Sequence, residues 1–164
     1  MITHPELIDL LHYDPDTGIF RWRRPYGKAQ ARDQAGSMLK SGHRRIQIDK
    51  RSYKAHVLAW FYVNEVWPDQ EIDHKNRVPD DNRIENLRLA TRSQNRVNCR
   101  SPNPYGKGVQ FSPRHKTKPY FSTIETKING KRVSRYLGHF ATAEEARAAY
   151  AKASVEKHGE FFCP

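Results

Sequence analysis

The chain has 164 residues, 37% of them hydrophobic, with 29 Lys and Arg against 18 Asp and Glu, a formal net charge of +11 at pH 7. That length fits one domain or two small ones with a modest core, so small basic modules are expected rather than one large enzyme fold. Two cysteines, Cys99 and Cys163, without a CxxC pair exclude a cysteine zinc finger and argue against a disulfide scaffold, so an intracellular, cytoplasmic protein is the expectation.

The charge is spread over both halves, +5 in residues 1–104 and +6 in residues 105–164. Lys and Arg neutralise phosphates and release counterions, so a polyanionic partner is expected. Basic and aromatic residues interleave, as in Phe20-Arg21-Trp22-Arg23-Arg24 and Arg135-Tyr136, a pattern that suits nucleic acid better than a membrane surface. No apolar run approaches transmembrane length, and MITHPELIDLL has no basic segment followed by an apolar one, so neither a membrane span nor a signal peptide is expected.

In chain order, DPDTG at 14–18 and SGH at 41–43 are turn signals between short strand-like runs, GIFRWRR, SMLK and RRIQIDKRSYKA. They predict one small basic antiparallel sheet. Residues 55–64, AHVLAWFYVN, predict a buried helix stopped by VWP, with Trp60 and Phe61 in the core and His56 in a structural role at its start rather than as a ligand.

Residues 72–95, IDHKNRVPDDNRIENLRLATRSQN, concentrate the chemistry. Ile72-Asp73-His74 reads as a strand end and Glu85–Ala90 as a half-buried strand, with a polar loop between. Thr91 caps a helix through TRSQNRVNCR. Asp73, and Asn95 about one turn into that helix, offer hard oxygen ligands suited to Mg²⁺ or Mn²⁺. His74 can take a proton from a water attacking phosphorus, since its ordinary pKa is near 6.5. Adjacent residues of a regular strand point to opposite faces, so this site requires the strand to end close to His74. An EF-hand is excluded, because Lys75, Arg77, Val78 and Ile84 stand where such a loop needs ligands and a glycine. Turn and cap roles explain Asp80, Asp81, Asn82 and Thr91 equally well, and spacing alone does not separate the two readings.

The order of an aromatic-and-basic strand, a histidine-bearing helix followed by WP, then DH, NRIENLR, AT and SQN resembles the phage HNH homing endonucleases, the ββα-metal nucleases, over most of residues 10–98. Where that family usually reads His-Arg-Leu, this chain has His56-Val57-Leu58. The resemblance implies one divalent metal ion, Mg²⁺ or Mn²⁺, on Asp73 and Asn95. It also implies His74 as general base, and Asn86 bracing the loop and orienting His74.

Ser101–Lys107, SPNPYGK, reads as a linker and separates domains at 1–104 and 105–164. Beyond it, GVQF, YFSTIET and KRVSRYLGHF read as three strands, the last two joined at Asn129-Gly130. Thr142 and Glu145 form a capping box for a helix that Gly159 ends, with Ala146, Ala149, Tyr150 and Ala153 on one face. YLGHFATAEEARAAYAKA resembles the Apetala/ethylene-response-factor DNA-binding domain, which implies a sheet laid in the major groove. Thr123, Glu125, Ser134 and Tyr136 stand where plant members carry charged residues or tryptophan. Arg114, Lys116, Lys118, Arg132 and Arg135 are the expected phosphate contacts here, Phe121 and Tyr136 are expected near bases, and Arg21, Arg23 and Arg24 are expected to extend the surface from the N-terminal part.

The expected whole is an α+β protein: a small ββα-metal HNH module with N-terminal β-hairpins, followed by a three-stranded antiparallel sheet plus one helix. The expected activity is metal-dependent, strand-nicking endonuclease action on double-stranded DNA by a monomer. A DNA-binding regulator with an inactive nuclease half is the alternative, and an RNA-binding module has the charge but no RNA motif.

Overall fold

The computed structural model of the protein describes residues 1–99 and 101–162. It is a mixed α+β structure of small antiparallel sheets and, among the described residues, four α-helices. Two compact units divide the chain, Met1–Asn95 and Arg96–Pro164. No helix of the described residues is long and apolar enough to cross a membrane.

The first unit opens with a helix that the turn signals did not predict, α1 (His4–Leu10), started by a reciprocal capping box between Thr3 and Glu6 with proline in its first turn. It leads into β1 (Leu11–Asp14) and β2 (Ile19–Trp22), a two-stranded hairpin whose turn is held by Asp14 Oδ1 accepting from the Asp16 amide at 3.0 Å.

Next come β3 (Ser37–Met38), β4 (Arg44–Ile48) and β5 (Arg51–Lys54), a separate three-stranded sheet. The single N-terminal sheet expected from the sequence is thus two sheets. RRIQIDKRSYKA is itself a hairpin rather than one strand. Asp49 and Lys50, at φ 47° and 64°, occupy the positive-φ positions of a two-residue turn, and Asp49 is held there by hydrogen bonds with Tyr26.

Helix α2 (Ala55–Asn64) spans the expected residues but stops before VWP, because Glu65 takes a left-handed conformation at φ 61° and caps it through its backbone. Phe61 is buried as expected, whereas Trp60 is only half-buried, packed against the edge of the core. Leu7, Leu11, Phe20, Ile46, Ile48 and Leu58 are the fully enclosed centre of that core, which joins α1, both N-terminal sheets and α2.

The hairpin of β6 (Glu71–His74) and β7 (Leu87–Ala90) follows, paired from Glu71↔Ala90 to His74↔Leu87. Only the second part of the expected strand 85–90 is extended. Ile84–Asn86 is a 3₁₀ turn, because the Asn86 side chain is drawn into the preceding loop and cannot stay in a ladder. Thr91 and Gln94 cap α3 (Arg92–Asn98) reciprocally, and Arg100, the last residue of the expected helix, lies outside the described residues.

The second unit has β8 (Val109–Phe111), β9 (Tyr120–Ile128) and β10 (Lys131–Phe140) in the order β10-β9-β8, with α4 (Ala143–His158) packed on them. Asn129 and Gly130, both at positive φ, make the β9–β10 turn, and the Thr142–Glu145 capping box starts α4. Ala146, Ala153, Ser122 and Ser154 are buried, so small side chains let the helix lie close on the sheet, while Ala149 and Tyr150 are half-buried. Ser101–Lys107 is tied within this unit: Asn103 Nδ2 donates to the Val109 carbonyl at 2.7 Å, and Lys107 Nζ to the carbonyls of Arg96, Val97 and Cys99.

Candidate active site

The ladder of β6 ends at His74. Arg77, at φ 59°, turns the chain and donates its amide to the His74 carbonyl at 3.0 Å, while the Lys75 amide donates to the Asn86 carbonyl at 2.9 Å. Alternation along β6 turns Ile72 and His74 to one face and Glu71 and Asp73 to the other.

On the first face the His74 ring is buried and its Nε2 lies 3.3 Å from Asn82 Oδ1. The Asn82 amide is oriented by its own donor, since Nδ2 faces the Asp80 carbonyl at 3.1 Å, and Oδ1 is therefore the atom turned to the ring. The tautomer that completes this bond carries hydrogen on Nε2 and the lone pair on Nδ1. Burial holds the His74 pKa below its ordinary 6.5, opposed by the Asn82 bond and by the charges of Asp73, Asp81 and Asp80. At neutral pH the ring is an uncharged base.

The loop that presents Asn82 is stiffened from both sides. Asn86 accepts from the Asn76 amide at 3.1 Å and donates to Asn76 Oδ1 and to the Asp81 carbonyl, at 3.0 and 2.8 Å. Arg83 clasps Asp81, holding its carboxyl down at about 2 by hydrogen bonds and charge, and Arg44 makes a two-pronged bond with Asp80 at 3.0 and 2.9 Å. Tyr13 donates to the Asn82 carbonyl at 2.7 Å from the first hairpin.

Two further imidazoles meet His74 on this face. His56, in the first turn of α2, stands edge-on to His74 with ring centres 4.9 Å apart, and His43, just before β4, is 5.2 Å from His56 and 5.7 Å from His74. Burial pushes the His56 pKa down to about 3, aided by the charges of His74, His43 and Lys54. Burial also lowers that of His43.

On the opposite face Asp73 is buried against Arg88, its cross-strand neighbour, whose Nε and Nη2 lie 2.9 and 2.8 Å from Asp73 Oδ2. Asn95, one turn into α3, donates its Nδ2 to Glu71 Oε2 at 2.7 Å. Glu71, Asp73 and Asn95 thus line one side of β6, a hard-oxygen set whose carboxylates meet donors from Arg88 and Asn95. His74 lies on the other side, at the strand's last position.

Sequence reading brought forward Asp73, His74, Asn86 and Asn95 from this region. Asn82 is bonded to the His74 ring, although in the sequence turn and cap roles explain it equally well and no local signal distinguishes it from Asp80 or Asp81. His43 carried no signal at all, because its neighbours in space, His56 and His74, are 13 and 31 positions away in the chain.

The other expected contact residues are surface groups. Arg21 and Arg23 are exposed and donate to the carbonyls of Arg32 and Leu11, and Arg24 pairs with Asp9 at 2.7 Å. Arg114, Lys116, Lys118 and Arg132 are exposed. In the register of β9 and β10, Arg135 pairs with Ile124, which is buried beneath α4, so Arg135 shares the helix-bearing face and lies 3.8 Å from Glu156 of α4. Arg132, Ser134 and Tyr136 alternate onto the open face, together with Phe121, Thr123 and Glu125 of β9.

The family model described as HNH endonuclease matches residues 53–97, from β5 through α2, the β6–β7 hairpin and most of α3. That span holds His56, Asp73, His74, Asn82, Asn86 and Asn95. No curated protein and no solved structure matches the chain.

Proposed function

We propose that the protein is a metal-dependent endonuclease that hydrolyses phosphodiester bonds in double-stranded DNA. The observation that carries this reading is the HNH endonuclease match over residues 53–97, which frames a buried, neutral histidine at a strand end with its Nε2 bonded to Asn82. In this reading His74 Nδ1 accepts a proton from water as the water oxygen bonds to phosphorus. The phosphorus–oxygen bond to the leaving sugar breaks with its electron pair on that oxygen. Asn82 holds the ring, and Asn86 holds the loop that carries Asn82.

The donor set on the other side of β6 suits a hard cation: Asp73 and Asn95 would hold it, Glu71 adjoins them, and Mg²⁺ or Mn²⁺ is the expected ion. Bound there, such an ion supplies positive charge to stabilise the phosphate as negative charge builds on it. Arg88 would have to yield part of its hold on Asp73. That ion pair is also what favours a second reading, in which the nuclease half binds DNA without cutting.

The finer proposals follow the sequence. The enzyme is a nicking endonuclease of phage homing type, monomeric, acting in the host-cell cytoplasm, and its C-terminal unit is an Apetala/ethylene-response-factor-like module that grips DNA with the open face of its sheet. One His74-centred set per chain cuts one strand at a time, because the strands of a duplex run antiparallel and a second cut needs a second set or a second binding event. Incubation with supercoiled plasmid and Mg²⁺ or Mn²⁺ tests these proposals together. The expected product is the open circle first and linear DNA later. Linear DNA in the first turnover would refute the monomeric nicking scheme, and no cutting with either ion would favour the binding-only reading.

A further inference from the structure

His43, His56 and His74 come from three separate elements, the connection before β4, the first turn of α2 and the end of β6. A ring nitrogen of each lies within 4.8 Å of the others. We propose that these three histidines form a binding site for a transition-metal dication such as Zn²⁺, separate from the oxygen-rich side of β6 that carries Asp73 and Asn95.

The ligand chemistry separates the two sites. Imidazole nitrogen is a borderline ligand that suits Zn²⁺, Co²⁺ or Ni²⁺, whereas Mg²⁺ and Mn²⁺ prefer carboxylate and carbonyl oxygen. Around a tetrahedral ion with metal–nitrogen bonds of about 2.1 Å the nitrogens stand about 3.4 Å apart, so small side-chain rotations close this cluster onto a metal.

Two of the rings are already oriented through their other nitrogen, as metal-binding histidines are. His74 Nε2 faces Asn82 Oδ1 at 3.3 Å, and His43 Nδ1 faces Ser41 Oγ at 3.1 Å, which directs His74 Nδ1 and His43 Nε2 as the ligating atoms. The third ring supplies an independent sign. His56 is 4% exposed, and its Nδ1 is enclosed without a hydrogen-bond partner among the described residues. Close packing of three neutral rings would account for the edge-on geometry. It does not account for an enclosed nitrogen left without a partner. His43 is only half-buried, which provides the route by which an ion enters and leaves a fourth position for water.

One consequence rests on the reading of His74 as the base. A metal on His74 Nδ1 occupies the lone pair that takes the proton from water, so filling this site stops cutting while the oxygen site is untouched.

The test is titration of the chelator-stripped full chain with Co²⁺, without Mg²⁺ or DNA. One equivalent should produce the intense visible absorption of four-coordinate Co²⁺, removed by one equivalent of Zn²⁺. His56→Gln and His43→Gln should each abolish the band, and Asp73→Asn should keep it. His43 lies in a half-exposed connection, so His43→Gln reports on binding even where His56→Gln fails to fold, with circular dichroism as the check. No band in the wild type, a band that survives His43→Gln in a folded protein, or one lost in folded Asp73→Asn would overturn the site. Stoichiometric Zn²⁺ should also block Mg²⁺-supported plasmid cutting in the wild type and not in His43→Gln. A normal Co²⁺ band with cutting unaffected by Zn²⁺ would leave the metal site standing and remove His74 as the base.

Discussion

Replacing Asn82 by alanine tests the part of the site that the fold builds around His74. Asn82 is 1% exposed, and its side chain accepts from His74 Nε2 and donates to the Asp80 carbonyl. Losing two net hydrogen bonds costs about 2 kcal/mol, and depriving a buried N–H of its acceptor adds up to about 2 kcal/mol, so urea denaturation should show a loss of about 2–4 kcal/mol. The rate of plasmid nicking should fall by about 10–100-fold, the usual effect of removing a group that orients a functional imidazole. The pH profile separates this from simple loosening. The base works uncharged, so the rate rises with pH through the His74 pKa, and the Asn82 bond is the largest influence opposing the downward push of burial. Without it that rising limb should move to lower pH. A folded Asn82→Ala protein with wild-type rate and an unmoved limb, or a limb moved upward, would refute this account.

His74→Ala should cut about 10²–10⁴-fold more slowly while binding plasmid as the wild type does, measured by nicking and gel shift, and full activity would remove it as the base. For His56 the folded-state pKa of about 3 lies below the ordinary 6.5, so the unfolded chain binds a proton that the folded chain refuses between those values. Its contribution is whole above pH 6.5 and falls as pH drops, by up to about 1.4 kcal/mol per pH unit, so the urea midpoint should be lower at pH 5 than at pH 7 and identical midpoints would contradict it. Lys116→Ala with Arg132→Ala should lower the slope of log K against log salt by about 0.9 for each lost phosphate contact, and an unchanged slope would show that these residues do not touch phosphate.

Local chemistry determined what could be read from the residues alone. The span of α2, the Asn129-Gly130 turn, the Thr91 cap and the Thr142–Glu145 capping box depend on side chains bonding backbone within a few positions, or on a period of apolar residues, and these are properties of short segments. The end of β6 at His74 belongs with them, since the turn that follows is built from Lys75 to Arg77. Other features were settled only when distant segments packed. The Asp49-Lys50 hairpin relies on Tyr26, the face of β6 that carries His74 receives His43 and His56 from elements 31 and 18 positions upstream, and Arg135 turns toward α4 because of its register with Ile124. Asn82 became the partner of the His74 ring because Asn86, Arg83, Arg44 and Tyr13 hold its loop from several directions. A hydrogen bond between distant residues forms when the packed core has already met the entropy of closing the chain between them, and no short stretch of sequence carries that information.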